Sequence, residues 1–253
     1  MTAVPLCETV WLVGTPEEGN PAYTSRFDCN QYLVAEGKDA FLIDAGTGLA
    51  AGAWLKNVAE VLPLNSIRGL LVSHYHADHA GGAAAAARAG VQVWGSPRTA
   101  EALRLGDEES TQLARARHAG VYPKDLRAEP VDSVFSLEER QTFPLEGGLL
   151  RILWSPGHCE GHLVVVHESQ GGSSIFSGDV IFAGGRISMQ AIPDCRLDLY
   201  AESVIALDGI KAKALFPGHG ASVLEGADED ISLAAQSFRK LIPPPNLLHP
   251  PGF

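Results

Sequence analysis

The chain has 253 residues, 45% of them hydrophobic, which is enough to bury a substantial core. Acidic residues outnumber basic ones by 30 to 19, so the formal net charge is −11. A phosphate backbone is bound by clustered cations, and this charge balance therefore argues against a nucleic-acid partner.

The cysteines and the N-terminus indicate the compartment. Cys7, Cys29, Cys159 and Cys195 form no paired motif, so we predict thiols in a reducing environment. The first residues, MTAVPLCETVWLVG, contain neither a basic region nor a long apolar run, which argues against a signal peptide. No segment approaches the roughly 18 apolar residues of a membrane span. We expect a cytoplasmic protein without a membrane partner.

The first part of the chain alternates short β-rich runs with turns. We predict strands at residues 10–13, 30–35, 40–43, 70–72 and 91–94. Gly37-Lys38-Asp39 separates the second and third strands and predicts a hairpin. Helices are predicted at 48–61, which Pro63 ends, and at 79–89, which is rich in alanine.

The rest of the chain repeats the pattern after a helical segment. Residues 97–130, with helices predicted at 99–105 and 108–119, are interpreted as a helical insertion. Strands follow at 141–143, 149–154, 163–167, 174–176 and 214–216, with helices at 197–207 and 229–241. Two β-rich halves, each followed by helices, predict a layered α/β sandwich in a single domain spanning 1–253.

A cluster of metal-ligand side chains follows the predicted strand at 70–72. His74 and His76 are two residues apart, so in extended backbone their imidazoles point the same way. Asp78 and His79 follow at the start of a helix and can serve a second point nearby. Imidazole nitrogen and carboxylate oxygen are ligands that zinc, iron and manganese accept. The cluster therefore predicts a metal site.

Three further candidates stand at the ends of later strands. His158, Asp179 and His219 each follow a glycine, which lets the backbone turn sharply there. Strand ends that collect polar residues at one face are the expected location of an α/β site. His118, His167 and His249 have no such pattern and are predicted to be ordinary residues.

Taken together, these motifs resemble the metallo-β-lactamase superfamily. The matching segments are FLIDAG at 41–46, LVSHYHADHAGG at 71–82, SPGHCEGH at 155–162, FSGDVIF at 176–182 and FPGHG at 216–220. The resemblance implies a four-layer αββα sandwich that holds two divalent metal ions, with zinc expected and iron or manganese as alternatives. It implies that metal 1 is held by His74, His76 and His158, metal 2 by Asp78, His79 and His219, and that Asp179 bridges them.

Two residues near the ligands are candidates for orienting them. Asp44 is either a local cap of its turn or, as the resemblance implies, an acceptor that orients a ligand histidine. We expect His162 to contact a ligand residue rather than to bind a metal itself. Cys159 is adjacent to a ligand in sequence, but neighbouring side chains usually point apart, so we leave it out of the metal set.

The resemblance also implies a hydrolytic mechanism. A hydroxide bridging the metals would attack a thioester, lactone or related ester, with Asp78 as the catalytic residue that orients it and accepts its proton. The segment GDVIFAGGR at 178–186 is similar to the glyoxalase II (hydroxyacylglutathione hydrolase) branch, where Arg186 would face an anionic substrate. Phe182 stands where related lactonases carry tyrosine, and a bridging Asp179 argues against a dedicated β-lactamase.

Other functions use nearly the same motif. A persulfide dioxygenase of this superfamily would hold one iron, and a lactonase or β-lactamase-like hydrolase would use the same ligands. A non-catalytic member is disfavoured because no ligand is missing. We expect a small-molecule substrate, with a homodimer as the assembly to test.

Overall fold

The computed structural model describes residues 1–247, so His249 lies outside the described part of the chain. The chain divides into two compact units, Met1–Leu137 and Glu138–Phe253. Each unit contains one β-sheet with its own helices, so the predicted α/β class is confirmed. Within 1–247, no helix is both long and apolar enough to cross a membrane.

Unit 1 is built on a seven-stranded sheet whose strands lie side by side in chain order. Its strands are β1 (Val4–Pro5), β2 (Val10–Gly14), β3 (Gln31–Glu36), β4 (Asp39–Ile43), β5 (Gly69–Leu71), β6 (Val93–Gly95) and β7 (Val134–Ser136). The first four pair antiparallel and the last four pair parallel. The helices of unit 1 are α1 (Ala51–Ala59), α2 (Ala77–Ala80), α3 (Ala83–Arg88), α4 (Pro97–Leu105) and α5 (Leu113–His118). Because β4 and β5 are parallel neighbours, their C-terminal ends meet at one sheet edge.

Unit 2 is built on a five-stranded sheet in the order β12-β11-β10-β9-β8. Its strands are β8 (Thr142–Pro144), β9 (Gly148–Trp154), β10 (Leu163–Ser169), β11 (Gly172–Gly178) and β12 (Ala214–Pro217), and its helices are α6 (Leu197–Leu207) and α7 (Ala227–Arg239). Only β12 pairs parallel, with β11. The apolar runs of β10 and β11 pack with α6 and α7 in one buried cluster that includes Val164, Ile175, Tyr200 and Ile231.

Three sequence-based predictions of elements were wrong or incomplete. The single helix predicted at 79–89 is instead α2 and α3, because the chain turns at Gly81 and Gly82. The helix predicted at 108–119 forms only over Leu113–His118, after a turn closed by the Asp107 carboxylate, which accepts from the Ser110 N–H. The strands β1 and β7 were not predicted, because they have only two and three residues.

The two glycines between α2 and α3 let α2 lie close to the turn after β4. The Gly82 N–H donates to the Gly46 carbonyl over 3.0 Å. A Cβ added at Gly82 would collide with the Ala45 carbonyl oxygen, and one at Gly81 would collide with the Thr47 carbonyl. Only glycine therefore allows this close approach of two backbones.

A pair of glycine substitutions tests this packing. We expect Gly82→Ala to lower the free energy of unfolding by about 1–3 kcal/mol, because the added methyl forces the backbones apart. Gly52→Ala is the matched control, since Gly52 is exposed on α1 with open space around its Cα. The control should be neutral or stabilising by up to about 1 kcal/mol. Denaturant unfolding measures both, and equal effects would contradict the packing argument.

Candidate metal centre

Unit 1 brings together the four residues of the histidine cluster. His74 and His76 lie on the extended segment that follows β5, and their Nε2 and Nδ1 atoms are 3.1 Å apart. The short helix α2 then carries Asp78 and His79, with the His79 Nε2 atom 3.8 Å from the Asp78 Oδ2 atom. Three of the four are buried, and Asp78 is partly exposed. These side chains therefore lie close together within unit 1, as their spacing in the sequence predicts.

Asp44 makes hydrogen bonds to two residues of this segment, Ser73 and His79. Asp44 directly follows β4 and has φ of 59°, a left-handed conformation that few non-glycine residues adopt. Its Oδ1 accepts the Ser73 N–H at 2.7 Å, and its Oδ2 lies 2.8 Å from both the Ser73 Oγ and the His79 Nδ1. A carboxylate at Nδ1 fixes the proton there and leaves the lone pair of the His79 imidazole on Nε2, the nitrogen that could bind a metal. Asp44 is thus an orienting acceptor rather than only a turn cap.

Cys29 lies beside the same histidine. Its backbone N–H donates to the Asp78 carbonyl over 3.2 Å, and its side chain is fully buried. Burial raises the pKa of the Cys29 thiol to about 12, an effect that the nearby His79 only partly offsets. The group is therefore a neutral thiol at physiological pH.

This pKa predicts selective alkylation. At pH 8, roughly one Cys29 side chain in 10⁴ would be thiolate, so iodoacetamide should leave it unmodified in the folded protein. Cys7 is exposed and should react readily. Peptide mass spectrometry, with urea-unfolded protein as the control, reports the modified positions. Alkylation of Cys29 at the rate of Cys7 would contradict its burial.

Unit 2 brings together the other three predicted ligands. Asp179 and His219 follow the parallel strands β11 and β12, whose Phe176 and Phe216 are paired in register. The His219 Nε2 atom is 3.6 Å from the Asp179 Oδ1 atom, and the His158 Nε2 atom is 3.6 Å from the Asp179 Oδ2 atom. Each oxygen of this one carboxylate therefore faces a different imidazole.

Two contacts orient the side chains of unit 2. The His158 Nδ1 atom donates to the Ser188 carbonyl at 2.8 Å, which leaves its Nε2 facing Asp179. The Asp179 N–H donates to the His162 Nε2 atom at 3.1 Å, so the His162 proton is on Nδ1. His162 therefore holds the backbone of Asp179 rather than its carboxylate.

The two residues predicted to bind substrate have other contacts. Phe182 is 1% exposed, and its N–H donates to the Arg186 carbonyl. The Arg186 guanidinium donates to the Leu247 carbonyl at 3.1 Å. These contacts favour a packing role for both side chains.

Sequence reasoning missed three supporting residues: Ser73, Ser188 and Tyr200. The Tyr200 hydroxyl donates to the Asp179 carbonyl at 2.6 Å and accepts from the Ser188 N–H at 3.0 Å. Burial raises the pKa of Tyr200 well above its usual range, so its hydroxyl stays protonated. Ser73 lies directly before His74 and was visible as a polar neighbour, whereas no local pattern marks Ser188 or Tyr200.

The donor atoms of each unit are of the types that bind divalent metal ions. Both units offer buried imidazole nitrogens beside a carboxylate, with the orienting hydrogen bonds at Nδ1 of His79 and His158. Nitrogen and oxygen donors of this kind suit zinc, manganese and iron. Outer acceptors that fix the imidazole tautomer are characteristic of built metal sites.

The chain belongs to the metallo-beta-lactamase superfamily. The sequence profile of that superfamily matches residues 24–219, which include all seven predicted ligands. Proteins of this superfamily typically bind divalent metal ions, in keeping with the His and Asp clusters of both units.

Curated relatives include proteins named as lactamase-like and as thioesterases. A lactamase-like protein nscB of Aspergillus fumigatus is 29% identical over 207 residues, covering 81% of this chain and 52% of the relative. An atrochrysone carboxyl ACP thioesterase of Aspergillus chevalieri is 25% identical, covering 82% and 56%. The thioesterase pkgB of Emericella nidulans is 27% identical, covering 81% and 49%. The chain spans about half the length of the curated relatives it matches.

Solved structures share the fold over nearly the whole chain. A metallo-beta-lactamase from Cronobacter sakazakii, a HARLDQ motif mutant, superposes with a TM-score of 0.71 at 21% identity, covering 95% of this chain and 96% of that one. The metallo-beta-lactamase SMB-1 bound to 2-mercaptoethanesulfonate gives a TM-score of 0.71 at 18% identity, covering 95% of each chain. At these identities the likeness establishes the fold.

Proposed function

We propose that the protein is a hydrolase with two divalent metal ions that cleaves a thioester or a related ester bond. The observation that carries the proposal is the Asp179 carboxylate, whose two oxygens each face a different histidine at 3.6 Å. One carboxylate shared in this way suits two metal ions better than one. By the motif order of the family, His74, His76, Asp78 and His79 of unit 1 would supply metal ligands as well.

The chemistry expected of the bound metals is to lower the pKa of a water to around 7 and to polarise the substrate oxygen. The protein side chains set the geometry for this. Asp44 and Ser188 keep His79 and His158 in the tautomer that offers Nε2. Asp78, which is partly exposed, is the residue we assign to orient the attacking water and to accept its proton at a carboxylate oxygen.

The substrate class is supported by the relatives rather than by the site. Three of the matched proteins are named as thioesterases, two of them as atrochrysone carboxyl ACP thioesterases. Because the same fold and ligands serve many reactions, this support is by analogy. A thioester is also a chemically suitable target, since its thiolate leaving group departs readily once the carbonyl is attacked.

Metal content and a substrate panel test the proposal together. Purified protein is stripped with a chelator, reloaded with zinc and analysed by elemental mass spectrometry, and about two zinc ions per chain are expected. Activity is then measured on acyl-N-acetylcysteamine, S-lactoylglutathione, a lactone, a p-nitrophenyl ester, a phosphodiester and a cephalosporin. Hydrolysis should be fastest on a thioester or ester.

Two results would contradict the proposal. One iron per chain with oxygen uptake on glutathione persulfide would assign the protein to the dioxygenases instead. Inertness toward every substrate with both metals bound would remove the hydrolase assignment. Replacing a proposed ligand, as in His76→Ala, should lower the zinc content. His118→Ala is the matched control and should leave it unchanged, because His118 is exposed on α5, away from both ligand sets in sequence.

A further inference from the structure

Helix α6 is fastened to the loop that carries His158. The Arg196 N–H, just before the helix, donates to the Gly157 carbonyl at 2.8 Å, and the Ser203 Oγ donates to the Pro156 carbonyl at 2.7 Å. Gly157 has φ of 133°, and a Cβ added there would collide with the backbone of Tyr200. The helix and the loop are therefore in direct backbone contact at the residue before a ligand.

The Tyr200 side chain also contacts the backbone of Asp179 and of Ser188. Its hydroxyl donates to the Asp179 carbonyl at 2.6 Å and accepts the Ser188 N–H at 3.0 Å. The Ser188 carbonyl in turn accepts from the His158 Nδ1 atom at 2.8 Å. A single phenol oxygen thus joins the backbone of Asp179 to the residue that orients His158.

We infer that Tyr200 is a positioning residue, whose hydroxyl sets the mutual orientation of Asp179 and His158 for binding metal. This inference rests on the proposed metal centre. Tyr200 acts only through other residues, since its oxygen bonds to backbone groups and not to a ligand atom. Hydrogen bonds that orient ligands typically contribute 10–100-fold to metal affinity.

A purely structural role would depend on the ring rather than on the hydroxyl. The ring is fully buried and lies 6.3 Å from the Phe238 ring, measured between centroids. Tyr200→Phe keeps this packing and removes only the oxygen. It is therefore the variant that separates positioning from packing.

Ser203→Ala is the matched control. It removes another hydrogen bond from α6 to the same loop, at the Pro156 carbonyl, without touching the partners of Asp179 or His158. Zinc affinity is measured on full-length protein by competition with a chromophoric chelator. The unfolding of the metal-free proteins is followed by circular dichroism. We expect Tyr200→Phe to weaken zinc binding by about 10-fold or more, and Ser203→Ala to stay within about 2-fold.

The outcomes separate the two proposals. If the wild-type protein binds no zinc, the proposed function fails. If the wild type binds zinc and Tyr200→Phe binds it equally well, only the role of Tyr200 is overturned. The same conclusion follows if Tyr200→Phe and Ser203→Ala weaken zinc binding to the same extent.

A measurement on the wild type serves if Tyr200→Phe does not fold. Hydrogen exchange of the Ser188 amide, which donates to the Tyr200 hydroxyl, should slow when zinc is added. Zinc would order His158, and His158 is hydrogen-bonded to the Ser188 carbonyl, so the Ser188 backbone would become more ordered as well. Unchanged exchange at Ser188 would count against the role of Tyr200.

Discussion

Replacing Asp179 by asparagine should weaken zinc binding by more than about 100-fold, a larger loss than changes to outer hydrogen-bond partners usually cause. Both carboxylate oxygens face histidine nitrogens at 3.6 Å. The asparagine amide has only one oxygen, and its NH₂ group would point at one of those nitrogens. Hydrolysis by the reloaded protein should fall with metal content, because the substitution removes a ligand while preserving the side-chain volume.

Thermal unfolding with and without zinc measures this loss independently of activity. A ligand at about 100 times its Kd stabilises a folded protein by roughly 2.7 kcal/mol, and Asp179→Asn should lose most of this gain at the same zinc concentration. Asp132→Asn is the control, because Asp132 is exposed and its substitution makes the same change of charge. A zinc-dependent rise in Tm equal to that of the wild type would rule out Asp179 as a shared ligand.

The strand ends that carry the proposed ligands could be predicted from the sequence for a physical reason. Buried strands have nearly continuous apolar runs, and a polar residue after a glycine marks the point where such a run leaves the sheet. Asp179 and His219 were recognised in this way, and their strands are indeed adjacent and parallel. The Gly81-Gly82 pair is also visible in the sequence, and as a helix breaker it divides the predicted alanine-rich helix into α2 and α3.

The supporting residues could not be predicted because their contacts are distant in sequence. Ser188 accepts from a histidine 30 positions earlier, and Tyr200 donates to a carbonyl 21 positions earlier. Neither contact produces a local pattern, and a tyrosine within an apolar helix face predicts ordinary core packing. For Asp44 the sequence left two roles open, a cap of its own turn and an acceptor that orients a histidine. The hydrogen bonds to Ser73 and His79 favour the second role.

Two substitutions of Asp44 should separate the stability of the fold from the binding of metal. Asp44→Ala removes the acceptor of three donors in a buried site and places alanine at φ of 59°. Each unsatisfied buried donor costs about 1–3 kcal/mol, and the left-handed conformation costs about 1 kcal/mol more. We expect the free energy of unfolding of the metal-free protein to fall by about 3 kcal/mol or more.

Asp44→Asn should keep most of that stability but still lose metal, since asparagine tolerates the left-handed conformation and retains one oxygen for the Ser73 N–H. Its NH₂ group would donate to the His79 Nδ1 atom, which moves the imidazole proton to Nε2, the nitrogen that faces Asp78. A protonated Nε2 has no lone pair for a metal, so zinc affinity should fall about 10–100-fold in both variants. Chelator competition and denaturant unfolding distinguish the two effects. Wild-type zinc affinity in Asp44→Asn would mean that the tautomer of His79 is not set by Asp44.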